Sequence, residues 1–224
     1  MASSCRVSDT VHCPECGAPA PFRGTAVSVV CEYCDSTIVK TGADIKMVGK
    51  VSAIVDNGSP LLLDTHGKFD KLPFRLAGRL QVRYQRGTWN EWFLEFADGT
   101  VGWLADALGS YSIVRPRDKS IVAGRIPPMR QLSGGMTISL DGKMATVVDA
   151  RGASYVGAEG ALPFEAEPGH IFYSADLRGP DGSFHTLDYD HNPDHQEPDL
   201  YSGRAVKLPE LQLSSMRRFQ GWHA

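Results

Sequence analysis

The chain has 224 residues, of which 42% are hydrophobic and 22% charged, and its formal net charge is -3. That balance supports a packed core and excludes both a disordered chain and a general nucleic-acid-binding field. No apolar run has the length of a membrane span or the layout of a signal peptide, so the expectation is a soluble cytoplasmic protein.

Taken in chain order, the first signal is a pair of cysteine knuckles, Cys13-Pro14-Glu15-Cys16 and Cys31-Glu32-Tyr33-Cys34, with 14 residues between them. In a reducing compartment such spacing points to a metal site rather than to disulfides. Four thiolates around one ion leave no position for water. The expectation is therefore a single structural Zn2+ held by Cys13, Cys16, Cys31 and Cys34 in a ribbon spanning 1–44. Cys5 and His12 are read as bystanders.

The next stretch, 45–115, reads as a first antiparallel β module. Core-seeking residues alternate along 80–84 and 92–96, as half-buried strands require. Parity pairs Tyr84 with Trp92, Val82 with Leu94 and Leu80 with Phe96, around a loop at Gly87, Thr88 and Trp89. A tight turn at Asp98-Gly99 sets Phe96 opposite Val101 and Leu94 opposite Trp103. Tyr84, Trp92 and Trp103 then share one apolar face, while Glu91 and Glu95 fall on the polar one. A linker follows at 116–130, where Pro116, Pro127 and Pro128 interrupt a polar segment.

The second module, 131–213, opens on a hairpin of 137–140 and 143–148 around Asp141-Gly142. Further strands are expected at 153–158, 170–176 and 183–189, with a turn at Pro180-Asp181-Gly182 and a closing strand from Gly203. In the tail, 214–224, Met216, Phe219 and Trp222 recur at helical spacing beside Arg217 and Arg218, a pattern suited to a partner or a membrane surface. The fold class is all-β: an N-terminal zinc ribbon, then two small antiparallel modules, SH3-like or sandwich-like.

Charge is segregated along the chain. Lys68, Lys71, Arg75, Arg79, Arg83 and Arg86 meet only Asp70 in their stretch, whereas 155–199 carries ten acidic residues against Arg178. The six basic residues form a candidate binding surface for the acidic module, within one chain or between copies. Nucleic acid is the alternative partner, disfavoured by the acidic half. His185, Asp188, Asp190, His191, Asp194 and His195 supply the ligand types of a second metal and with them the alternative of a metal-dependent hydrolase. Asn192-Pro193 breaks that run and favours a solvated loop. Glu91, Glu95 and Asp98 suggest a carboxylate pair, but parity turns the glutamates from the aromatic face. No nucleophile elbow or phosphate loop occurs, so a non-enzymatic binding role is expected.

Gly78-Arg79, Trp89-Asn90-Glu91-Trp92, Phe96 with Asp98-Gly99, Trp103-Leu104 and Gly109 carry a resemblance. So do Glu159-Gly160-Ala161-Leu162-Pro163, Asp176-Leu177, Asp188-Tyr189 and Tyr201 with Gly203-Arg204. In these residues the chain resembles an uncharacterised bacterial domain family found behind an N-terminal zinc ribbon. The resemblance implies no chemistry of its own. It implies company with membrane-stress proteins of the phage-shock type and with polyamine-synthesis-like enzymes, hence an adaptor or assembly role among bacterial proteins, in the cytoplasm or at the inner-membrane surface.

Overall fold

The computed structural model describes residues 9–41, 44–50, 54–122 and 124–218. Cys5 and the Phe219 and Trp222 part of the tail lie outside them. β1 (Asp9–His12) and β2 (Pro19–Phe22) form one hairpin of the ribbon, and β3 (Ser28–Val30), β4 (Ser36–Thr41) and β5 (Asp44–Lys50) complete it. The next strands are β6 (His66–Phe69), β7 (Leu72–Tyr84), β8 (Gly87–Phe96), β9 (Val101–Ala107) and β10 (Ser110–Arg117). The last are β11 (Thr137–Leu140), β12 (Lys143–Leu162), β13 (Ile171–Arg178), β14 (Ser183–Asp188) and β15 (Asp199–Val206). Three short 3-10 turns, Lys119–Ile121, Met129–Gln131 and Leu208–Leu211, are the helical elements among the described residues.

The all-β reading holds, and the two modules are joined as the halves of one barrel. Strands β7-β8-β9-β10-β15-β14-β13-β12 pair in that order, antiparallel throughout, and β12 returns to pair with β7. Closure removes the four edge strands that two separate modules would expose. Each seam carries glycine where the backbones approach closely. A Cβ on Gly78 of β7 would lie 2.1 Å from the Ala161 carbonyl oxygen, and one on Gly203 of β15 would lie 1.8 Å from that of Ile113. β12 serves as the hinge of this arrangement: over 20 residues it pairs in turn with β11, β13, β7 and β3. Bulges between Val147 and Asp149 and between Tyr155 and Gly157 bend it around the barrel.

The expected linker is not a free connection. Arg115, Pro116 and Arg117 complete β10 against β15. Beyond them Ile121, Val122, Ile126, Met129 and Leu132 pack over Leu177, Leu187 and Leu200. Tyr189 Oη donates to the Pro127 carbonyl at 2.7 Å. The hairpin of β11 and β12 forms as expected, with Asp141 and Gly142 both left-handed at its turn.

Register corrects the assignment of faces. Tyr84 pairs with Gly87 rather than Trp92, so the turn is Gln85-Arg86, and Val82 pairs with Trp89. After Asp98-Gly99, Trp103 pairs with Phe93 and Val101 with Glu95, one residue from the expected pairing. A slip of one sends every side chain to the other face. Leu80, Val82, Phe93 and Trp103 therefore line the barrel interior with Tyr155 and Phe172. Trp92, Leu94, Leu104 and Ile113 point outward and are buried under Leu61, Phe69 and Leu211.

If the seams set the fold, Gly203→Ala should lower stability by about 2–4 kcal/mol, whereas Gly134→Ala, where a Cβ meets nothing within 4 Å, should change it by less than about 0.5 kcal/mol. Chemical denaturation of the two variants checks this.

Candidate metal centre and barrel interior

The two cysteine knuckles have matching backbone geometry. Cys13 N–H donates to the Ala18 carbonyl and Gly17 N–H to that of Cys13, both at 2.8 Å. Cys31 N–H donates to Ser36 at 2.9 Å and Asp35 N–H to Cys31 at 3.0 Å, the same offsets. Gly17 and Asp35 are both left-handed, the conformation that closes each loop. Cys13 Sγ lies 3.6 Å from Cys34 Sγ, and Cys16 Sγ lies 3.6 Å from Cys31 Sγ. All four sulfurs lie within 4.8 Å of one another. A tetrahedron with metal–sulfur bonds of about 2.3 Å has edges of roughly 3.8 Å, so the four thiolates fit a tetrahedral ion. Hydrogen bonds from the Ser36 hydroxyl and amide hold the Cys34 thiol down at about 6. His12 is exposed and outside the set.

The ribbon is fixed to the barrel. Val29 and Ser28 pair with Ala161 and Leu162 at the end of β12. Ser28 Oγ donates to the Phe164 carbonyl at 2.5 Å. Cys13, Cys31, Phe22, Val29 and Ile38 share one buried cluster with Ala161.

The six basic residues expected to form a surface do not converge. Lys68 and Lys71 sit at the β6–β7 turn, and Arg83 and Arg86 at the β7–β8 turn. The 13 residues of β7 separate these ends by about 40 Å. Between them Arg75 is paired with Asp64 and, at 2.6 Å, with Glu95. Arg79 is 4% exposed. It donates to Asn90 Oδ1 at 2.9 Å and to Asn57 Oδ1 at 3.0 Å, meets Glu159 at 3.3 Å, and stacks 5.1 Å over Trp92. The contact between basic and acidic halves is thus the β7–β12 ladder, crossed by one arginine-glutamate pair.

The histidine-rich run also disperses. His185 is on the outer face, with Nδ1 2.8 Å from Ser202 Oγ and Nε2 3.0 Å from Ser183 Oγ. Asp190 pairs with His191 at 2.6 Å and with His170 at 3.3 Å, and Asp194 pairs with Arg130 at 3.2 Å. His195 is exposed. Among the described residues, the four cysteines are the group positioned to share a metal. Glu91 and Glu95 do not form a pair, since Glu95 is bound to Arg75 and Asp98 to Thr100.

Glu91 is the residue whose place the sequence pattern reversed. Parity put it on a solvated face, but closure curls that face into the barrel. Its Oε1 accepts from Trp89 Nε1 at 2.6 Å. Burial, opposed by that bond, pushes its pKa up to about 8, and the negative fields of Asp176, Asp106 and Asp188 add to the rise. Asp176, which accepts from Thr186 Oγ1 at 2.9 Å, is raised to about 6, mainly by burial. Asp188 is raised by the same cause. Tyr155 lies on this inner wall, 5.2 Å from Phe172 and 5.8 Å from Phe164, ring to ring. It is also stacked on His170, 5.1 Å ring to ring, and burial raises its pKa. Arg151 stacks 4.3 Å over Tyr84 and is paired with Asp149. The alternation of Trp89, Glu91 and Phe93 along β8 was the available signal, once the barrel is known to close.

Fold and site define a four-cysteine ribbon carried on a closed eight-stranded antiparallel barrel. Residues 63–208 match the family described as Domain of unknown function (DUF4178), and the chain belongs to that family. The matched span is the barrel with β6 and β11, and the ribbon precedes it. No curated protein and no solved structure matches the chain. No helix among the described residues is long and apolar enough to cross a membrane.

A carboxylate raised in the folded state holds its proton after the unfolded chain has released it, so stability falls as pH rises between the two pKa values. For Glu91 that window runs from 4.5 to about 8. Thermal melts should therefore show stability declining across it, and Glu91→Gln should flatten the decline; an equal slope in the variant counts against this assignment.

Proposed function

We propose that the protein is a non-enzymatic binding protein in which one Zn2+, held by Cys13, Cys16, Cys31 and Cys34, fixes the ribbon to a barrel that receives the partner. The observation that carries this reading is the convergence of the four sulfurs on two matching knuckles. With all four positions filled by thiolates, a zinc ion would hold structure and present no site for substrate. Its chemistry there is to neutralise thiolates and lock two loops together, coupling metal binding to folding of the ribbon. The ribbon's pairing to β12 then carries that order to the barrel. The dispersal of the basic residues and of the histidine run supports a binding role over nucleic-acid recognition or a second metal. The resemblance to companions of phage-shock proteins directs the search for partners to proteins of the envelope-stress response in the cytoplasm.

Metal analysis by mass spectrometry, with an optical spectrum and hydrogen exchange, tests the reading. Native protein should hold one zinc per chain and be colourless, and the Cys13→Ser, Cys31→Ser double variant should lose the ion and the exchange protection of the ribbon. Iron with visible thiolate absorption that bleaches on reduction would make the site an electron carrier and overturn the proposal. A second metal equivalent surviving the substitutions would overturn it in favour of a metal enzyme.

A further inference from the structure

An open groove of about 780 Å³ crosses the outer face of the β10–β15 seam, from Phe69 and Asp70 at the β6–β7 turn to Asp181 and Gly182 at the β13–β14 turn. That volume falls in the range of small-molecule sites, roughly 300–1,000 Å³. Its floor follows from the register. Arg115, Ser202 and His185 stand abreast on β10, β15 and β14, and Arg204 stands beside Ser183. The His185 ring joins the two serines, with Nδ1 2.8 Å from Ser202 Oγ and Nε2 3.0 Å from Ser183 Oγ. Burial holds its pKa below the ordinary imidazole value, opposed by Asp181 and aided by Arg117. A neutral imidazole offers one N–H and one lone pair, so one serine donates to the ring and the other accepts from it. The accepting serine keeps its own O–H to turn into the groove.

The charges around the groove are matched except at one position. Asp70 pairs with Arg204 at 3.1 Å, and Asp181 with Lys143 at 2.7 Å. Arg115 meets Asp98 at 3.4 Å and lies 4.6 Å over the Phe96 ring. Arg204 also meets Glu210 at 3.1 Å and lies 5.0 Å over Phe69. Pairing and stacking thus hold both guanidinium planes in place. Arg117, the last residue of β10, is exposed, lines the groove and has no acidic partner among the described residues. The groove therefore carries donors with no matching acceptor, the Arg117 guanidinium and one serine hydroxyl. Phe69, Val101 and Pro116 supply apolar surface in the same lining.

We propose that this groove binds a small organic phosphate monoester. The phosphate dianion takes charge-assisted hydrogen bonds from Arg117 and from the serine hydroxyl that His185 leaves free, and the apolar body of the ester lies against Phe69, Val101 and Pro116. A bare anion makes no use of that surface, and an uncharged body gains nothing from Arg117. The site goes beyond the function proposed above, since neither the ribbon nor its cysteines line it.

The test uses the full chain with its metal, at constant ionic strength and a mildly alkaline pH where the phosphate is a dianion and His185 is neutral. Phenyl phosphate is titrated by calorimetry, with inorganic phosphate and phenol as controls. Saturable one-to-one binding is expected, about tenfold or more tighter than that of either control and weakened about tenfold in Arg117→Gln. The Ser183→Ala, Ser202→Ala double variant should weaken it as well, whereas Arg86→Gln, the same charge change at the β7–β8 turn, should leave it unchanged. Melting curves show that each variant is folded, and Arg117, exposed at a strand end, keeps the test decisive if the double variant is not. Inorganic phosphate binding as tightly as phenyl phosphate makes this a site for adventitious anions only, and phenol binding as tightly makes it an apolar surface; either overturns the proposal. So does failure to saturate, or binding unchanged in Arg117→Gln. Zinc measured on the same samples separates the two readings: one zinc with no phosphate binding removes only this inference, whereas iron or a second metal removes the function proposed above.

Discussion

Closure of the sheet between Gly78 on β7 and Gly160 on β12 is the constraint on which the rest of the molecule depends. Until β12 returns to β7, the two halves are open antiparallel sheets with unpaired edges and no distinction between inside and outside. Closure makes one face concave and encloses it. The other face, which carries Trp92, Leu94, Leu104 and Ile113, becomes the outer wall and needs a cover. That cover comes from segments outside the barrel, with Leu61 and Phe69 on one side and the turn at Leu211 on the other. The segment before β6 also supplies polar partners: Asn57 to Arg79 and Asn90, the Val55 backbone to Gln81, and Ser59 to Asp106. Four polar residues of the outer wall, Arg79, Gln81, Asn90 and Asp106, are thereby buried with their bonds made, as buried polar groups require.

The same seam connects the four cysteines to the barrel. β12 runs past Gly160 into Ala161 and Leu162, which pair with Val29 and Ser28 of β3. β3 leads directly into the second knuckle at Cys31. Gly24, in the loop before β3, sits so close to Glu95 that a Cβ would meet its carboxylate at 2.1 Å. Glu95 in turn holds Arg75 on β7. A metal ion at the four thiolates would therefore order a ribbon that pairs directly with β12 and reaches β7 through Glu95 and Arg75.

Local chemistry was legible in the sequence, and long-range closure was not. The cysteine spacing pointed to the four sulfurs that come together, and Asp141-Gly142 to a hairpin turn, because knuckle and turn each depend on residues a few positions apart. The faces of β7 to β9 were misassigned because register between strands depends on how many residues the turn absorbs. Ala97 and Thr100 join Asp98-Gly99 in the β8–β9 connection, and that alone turns Trp103 inward. The bulge at Ala77 moves β7 from the outer cluster of Leu76 to the inner one of Leu80, a switch that alternation cannot announce. The basic run read as a surface for a related reason: spacing along a strand does not show that Arg79 lies beneath a distant segment. The interior carboxylates were hidden because a polar face looks the same in sequence whether it meets bulk solvent or the inside of a barrel.

That last ambiguity bears directly on stability. A polar face turned outward costs nothing to keep charged, but the same residues turned inward are desolvated and repel one another. Leucine or valine at Glu91 and Asp176 would fill an eight-stranded interior with branched side chains and remove the raised carboxylates. The structure instead keeps Glu91, Asp176 and Asp188 on the inner wall without an ion pair among the described residues, and burial raises all three, so that a retained proton, rather than a counter-charge, lowers the cost of holding Glu91 there.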